Sequence, residues 1–157
     1  MKLTLITAAA VIALRLGLTL AGRAPEGTDF MLVHFLALVT IVFFTGRAML
    51  AEEVRTPFPD LLRDGFRNAA LYALLMGLYL WIHYTRIEPG FFPDRIGSLV
   101  AKGVAEGQPE TVIRPRIERF FTPFNYATIT FFALLFAGAM NAFVIGLLHH
   151  KVLRRFS

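Results

Sequence analysis

Apolar residues dominate four stretches of the chain, Leu3–Ala21, Phe30–Leu50, Phe66–Tyr84 and Phe124–His149, and none of its eleven acidic residues falls inside them. At a rise of ~1.5 Å per residue, about nineteen residues cover roughly 28 Å, close to the ~30 Å hydrocarbon core of a bilayer. The pattern predicts an all-α polytopic membrane protein with four transmembrane helices in a single domain over residues 1–157. The first stretch also has features of a signal peptide, with Lys2 ahead of an apolar run and Ala21 as a cleavage point. Arg15 interrupts that run and apolar character resumes after it, so the segment reads as a retained first span.

The connections are of two kinds. Arg23–Asp29 is short and carries Ala24-Pro25-Glu26-Gly27, a turn signal that makes spans one and two antiparallel neighbours. Thr56-Pro57-Phe58-Pro59-Asp60 breaks the chain after span two. Leu61, Leu62 and Phe66 then read as an interfacial turn feeding span three. The long connection from Thr85 to Pro123 holds two apolar stripes. Ile96, Leu99, Val100 and Val104 form the first, ended by Gly107-Gln108-Pro109. Ile113, Ile117, Phe120, Phe121 and Phe124 form the second, with Arg114, Arg116, Glu118 and Arg119 between them and Pro115 expected in the first turn. These predict two short amphipathic interfacial helices between spans three and four.

Composition narrows the chemistry. The chain has no cysteine, which excludes disulfides, thiolate metal sites and thiol catalysis. Its net charge of +5 comes from basic residues scattered among the loops, which suits lipid headgroups rather than nucleic acid. The tail Lys151, Arg154 and Arg155 places the C-terminus, and with an even number of spans the N-terminus, on the cytoplasmic side. No phosphate loop, nucleophile–base pair or zinc-type spacing is found, so the chain does not read as an enzyme and no metal ligand set is assigned.

Few polar residues remain inside the spans. A mid-span arginine costs roughly 2.5–3.5 kcal/mol on insertion scales, so Arg15 calls for water, a headgroup, a carbonyl or a partner. Ala9, Ala13, Gly17 and Ala21 line the opposite side of span one, a small-residue stripe suited to close helix packing. With that stripe against the bundle, Arg15 points outward to a partner subunit, a lipid or an anion. Span four carries a similar stripe, Gly138, Ala142 and Gly146, with Asn141 one step round and within reach of Arg47 for an interhelical hydrogen bond. His34 and His83 fall in the same leaflet on different spans, a pair that could ligate haem or border a quinone. Tyr72, Met76, Tyr79 and His83 share one face. His149 and His150 read as headgroup neighbours, and Tyr79, Trp81, Tyr84 and Tyr126 as an interfacial aromatic belt.

Phe66 follows an Asp64-Gly65 turn. Span three then exits through Trp81-Ile82-His83-Tyr84-Thr85-Arg86-Ile87-Glu88-Pro89-Gly90-Phe91-Phe92, and a charged loop leads to Phe121-Thr122-Pro123 and the last span. In this the chain resembles a family of small four-span proteins, a domain of unknown function abundant in Bacteroidetes. The resemblance implies the four-span fold and the bacterial inner membrane. It implies no activity and no catalytic residues.

The reading that best unites these features is a non-enzymatic accessory or scaffold subunit of a membrane complex, or a homo-oligomer. A small anion carrier or channel using Arg15 is one alternative. A haem- or quinone-binding subunit using His34 and His83 is another.

Overall fold

In the computed structural model, which describes residues 1–23, 25 and 28–153, all regular structure is helical. The helices are α1 (Lys2–Leu20), α2 (Thr28–Glu52), α3 (Phe58–Ile82), α4 (Phe91–Ala105), α5 (Glu110–Phe120) and α6 (Pro123–Lys151), with a π-helical turn, His83–Ile87, extending α3. Most of the Ala24-Pro25-Glu26-Gly27 turn, and Arg154 and Arg155 of the basic tail, lie outside the described residues.

Three helices, α1, α2 and α6, are long and apolar enough to cross a membrane, which is compatible with a multi-pass membrane protein. Helix α3 matches α2 in length at 25 residues, but Asp60, Arg63, Asp64 and Arg67 occupy its first turns. It begins at Phe58 rather than Phe66, because Leu61 is buried and continues the inward face that an interfacial turn would have ended. Pro57 and Pro59 suit its start, where amide hydrogens have no helical partner.

The chain divides into two compact units, Met1–Met76 with Phe131–Ser157, and Gly77–Thr130. In the first unit each helix turns one stripe inward at helical spacing. Helix α1 contributes Thr4, Ala8, Val11 and Arg15. Helix α2 contributes Phe30, Leu38, Ile41 and Val42, and α3 contributes Ala69, Tyr72, Ala73 and Met76. Helix α6 reaches α3 along small residues. A Cβ on Gly138 would lie 2.5 Å from that of Ala69, one on Gly65 would lie 3.1 Å from that of Ala142, and one on Gly146 would lie 3.3 Å from the Phe58 ring. Such close approach lets dispersion and backbone contacts act directly between the two helices. At the end of α1, Arg23 N–H donates to Leu18 O and Gly22 N–H to Thr19 O, with Gly22 at φ +70°. That Schellman turn requires a left-handed residue, which glycine supplies without strain.

The second unit is built on an aromatic cluster. Tyr84 is buried, with the Phe91, Phe92 and Tyr126 rings at 4.7, 5.1 and 5.3 Å. Helices α4 and α5 form a hairpin closed by a second Schellman turn at Gly107. Gly103 lets the hairpin close, since a Cβ there would collide with Ile113. Pro115 falls inside α5 rather than in its first turn, which leaves the Thr111 carbonyl without its usual helical donor.

Candidate functional site

Two polar constellations are buried, one in each unit. In the first, three helices meet around Arg15. The guanidinium carbon stands 5.2 Å from the centroid of the Phe30 ring, and Phe30 meets His34 edge-on at 5.2 Å. His34 Nδ1 shares a 2.8 Å hydrogen bond with the Tyr72 hydroxyl. A cation over an aromatic face recovers part of the solvation it loses, and the His34–Tyr72 bond satisfies two buried polar groups. One turn toward the start of α3, the Thr4 hydroxyl donates to Asn68 Oδ1 at 2.7 Å. The Asn68 amide in turn donates to the Asp64 carbonyl and carboxylate, both at 3.0 Å. Asn68 thus links α1 to α3 with its whole side chain engaged.

This arrangement corrects the expectation for Arg15. Arg15 is only 5% exposed. Helix α1 therefore turns its Thr4–Ala8–Val11–Arg15 face inward and its small-residue stripe outward. Ala9, Ala13, Gly17 and Ala21 are all exposed. The polar face wins because Asn68 and the Phe30 ring offer partners to groups that would otherwise lie unpaired against apolar surface. Arg15 accordingly faces into the first unit rather than outward.

In the second unit, His83 opens the π-helical turn and is fully buried. Its Nδ1 lies 3.1 Å from the Tyr79 hydroxyl and its Nε2 3.3 Å from a Glu88 carboxylate oxygen. The widened turn makes this possible. Glu88 N–H donates to the His83 carbonyl at 2.9 Å, a spacing of five that folds the carboxylate back over the ring. Both ring nitrogens are thus engaged, and one nitrogen of His34 is engaged with Tyr72. As folded, His83 has no nitrogen left for haem iron, and each histidine is held within its own unit.

Two residues of α6 depart from expectation. His149 is buried rather than at the headgroups. Its Nδ1–H donates to the Ile145 carbonyl at 2.8 Å, and its ring packs 5.1 Å from Phe43 and against Gly46. Helix α6 carries its inward stripe through Ile145 to His149, and the missing Cβ of Gly46 makes room for the ring. Asn141 donates to the Ala137 carbonyl of its own helix at 2.9 Å, and Arg47 is exposed. The expected Arg47–Asn141 bond is replaced by back-bonding along α6. Asn68 went unmarked in the sequence, although it sits four residues from both Asp64 and Tyr72 on the stripe that continues to Met76, Tyr79 and His83.

Comparison of the chain with protein-family models, with curated proteins and with solved structures finds no match.

Proposed function

We propose that the chain is a four-span protein of the bacterial inner membrane, with both termini cytoplasmic, that acts without catalysis as an accessory or scaffold subunit. It meets a partner subunit or a second copy through the outer face of α1. One observation carries this reading: Ala9, Ala13 and Gly17, spaced every four residues on a helix apolar enough to cross a membrane, and Ala21 at its C-cap are all exposed. Ile6 and Leu20 flank the stripe at 67% and 85% exposure, so the face is smooth and apolar. Small residues at this spacing serve close helix–helix approach, and nothing within the described chain uses them so. The fourth span is the apolar part of α3 from Phe66 onward, with Arg67 snorkelling at its end.

The carrier reading draws less support, since Arg15 packs against Phe30 and lines neither the cleft beside α5 nor the one bordered by Met49, Thr56 and Arg67. The cofactor reading is weakened by the hydrogen bonds that His83 and His34 already make.

The test is the native mass of the protein extracted in mild detergent. A Cβ at Gly17 would meet nothing within 4 Å, so Gly17→Leu leaves the fold undisturbed. Wild type is expected to carry a second copy or another protein, and Gly17→Leu to run as a lone chain with unchanged helicity. A wild type that is monomeric and free of companions overturns the reading.

A further inference from the structure

The α4–α5 hairpin carries a cleft of about 690 Å³ on the side of α5, lined by Ile113, Ile117, Phe120 and Phe121 together with Arg116 and Arg119. This lies within the volume range of small-ligand pockets, roughly 300–1,000 Å³. The charges around it are divided between the two edges of the helix. On one edge, Arg114 donates to Glu110 at 2.9 and 2.6 Å and lies 3.7 Å from Glu118, so cation and carboxylates neutralise one another. On the other edge Arg116 and Arg119 have no carboxylate partner among the described residues. The acids are thus withdrawn to the edge away from the cleft, and two guanidiniums border it unopposed.

The far wall is fixed. The Asn125 amide donates to the Arg119 and Phe120 carbonyls, both at 3.1 Å, and so ties the end of α5 to the first turn of α6. From there the apolar surface continues outward: Phe120 is 60% and Phe124 65% exposed, and α6 is one of the helices apolar enough to cross a membrane.

We propose that this cleft binds one anionic phospholipid, its phosphate held by Arg116 and Arg119 and the start of an acyl chain lying on Ile113, Ile117 and Phe121. Charge complementarity selects the headgroup, because planar guanidiniums match phosphate oxygens in bidentate geometry. Continuity of the apolar surface from the cleft to α6 selects an amphiphile over a free phosphate. The proposal rests on the membrane reading given above but not on any protein partner.

The experiment uses full-length protein, stripped of lipid in an uncharged detergent and titrated with phosphatidylglycerol or phosphatidylcholine, bound lipid being counted by native mass spectrometry. Phosphatidylglycerol is expected to bind more tightly. The loss is expected to be about fivefold for Arg116→Gln or Arg119→Gln alone and roughly thirty-fold for the double variant. Arg95→Gln, an equal charge change on α4 outside the cleft, is expected to alter binding by less than about twofold. Equal affinity for the two lipids overturns the proposal, as does an Arg95→Gln loss matching that of Arg116→Gln. Both cleft arginines are exposed, and helicity by circular dichroism checks that the variants fold. Membrane retention of the cell-expressed protein is read separately, so a failure of lipid selectivity is distinguishable from a failure of the membrane reading.

Discussion

Gly138→Ala is the sharpest test of how the first unit is held together. The added Cβ would lie 2.5 Å from the Ala69 Cβ and 3.5 Å from Leu38 Cδ2. Carbon atoms at optimal separation stand about 3.5–4.0 Å apart, so α6 and α3 must part by about 1 Å or more. Ala69 and Leu38 are both fully buried, so neither can yield into open space. Overpacking of this kind costs about 1–3 kcal/mol, and that loss is expected in a titration from mild detergent into sodium dodecyl sulfate followed by circular dichroism. The compensating change is Ala69→Gly. With the Ala69 Cβ gone the new methyl faces the residue 69 Cα at 3.6 Å, an ordinary contact. The double variant is expected to return to within about 1 kcal/mol of wild type, the remainder reflecting the helix propensity of glycine. Gly97→Ala is the control, since its Cβ also meets nothing within 4 Å and it lies on α4, which the proposed interface does not use. A Gly138→Ala variant as stable as Gly97→Ala would refute this packing, as would an Ala69→Gly change that adds to the damage instead of relieving it.

Other perturbations probe the polar contacts. A double-mutant cycle on His34→Leu and Tyr72→Phe is expected to give a coupling of about 0.6–1.7 kcal/mol in the same titration, and a coupling near zero would deny the hydrogen bond an energetic role. Asn68→Ala strands the Thr4 hydroxyl and is expected to cost about 1–3 kcal/mol, whereas Asn68→Ala combined with Thr4→Val is expected to cost less than Asn68→Ala alone. Glu88→Gln keeps a hydrogen-bonding group beside His83 but removes the charge. That variant is expected to cost less in the same titration than Glu88→Ala, which strands a nitrogen of the buried His83 at a cost of about 1–3 kcal/mol; equal losses would deny the hydrogen bond an energetic role.

Helical periodicity made much of the fold legible. Apolar runs mark α1, α2 and α6, and Gly107-Gln108-Pro109 marks the hairpin turn because a left-handed residue is needed there. What the pattern left ambiguous was rotation about each helix axis. On α1 a small-residue face and a polar face are both plausible inward faces, and the choice depends on what other helices present. Asn68 and Phe30 present partners for Thr4 and Arg15, and neither is deducible from α1 itself. Helix α6 had no such competitor, and Gly138, Ala142 and Gly146 lie against α3. His149 illustrates the same limit: a histidine near a basic tail looks solvated until Gly46 on a distant part of the chain opens a place for its ring. The π-helical turn was illegible for another reason. It reflects one extra residue per turn, and no residue type in His83–Ile87 announces that on its own.

Contact between the outer face of α1 and another protein chain is tested most directly by photo-crosslinking in the native membrane. A photoreactive residue replaces Ala13, at the middle of the exposed stripe, or Phe136, which is 71% exposed on α6. A protein adduct is expected from position 13 and only lipid adducts from position 136. Lipid adducts alone from position 13, matching those from position 136, would contradict it.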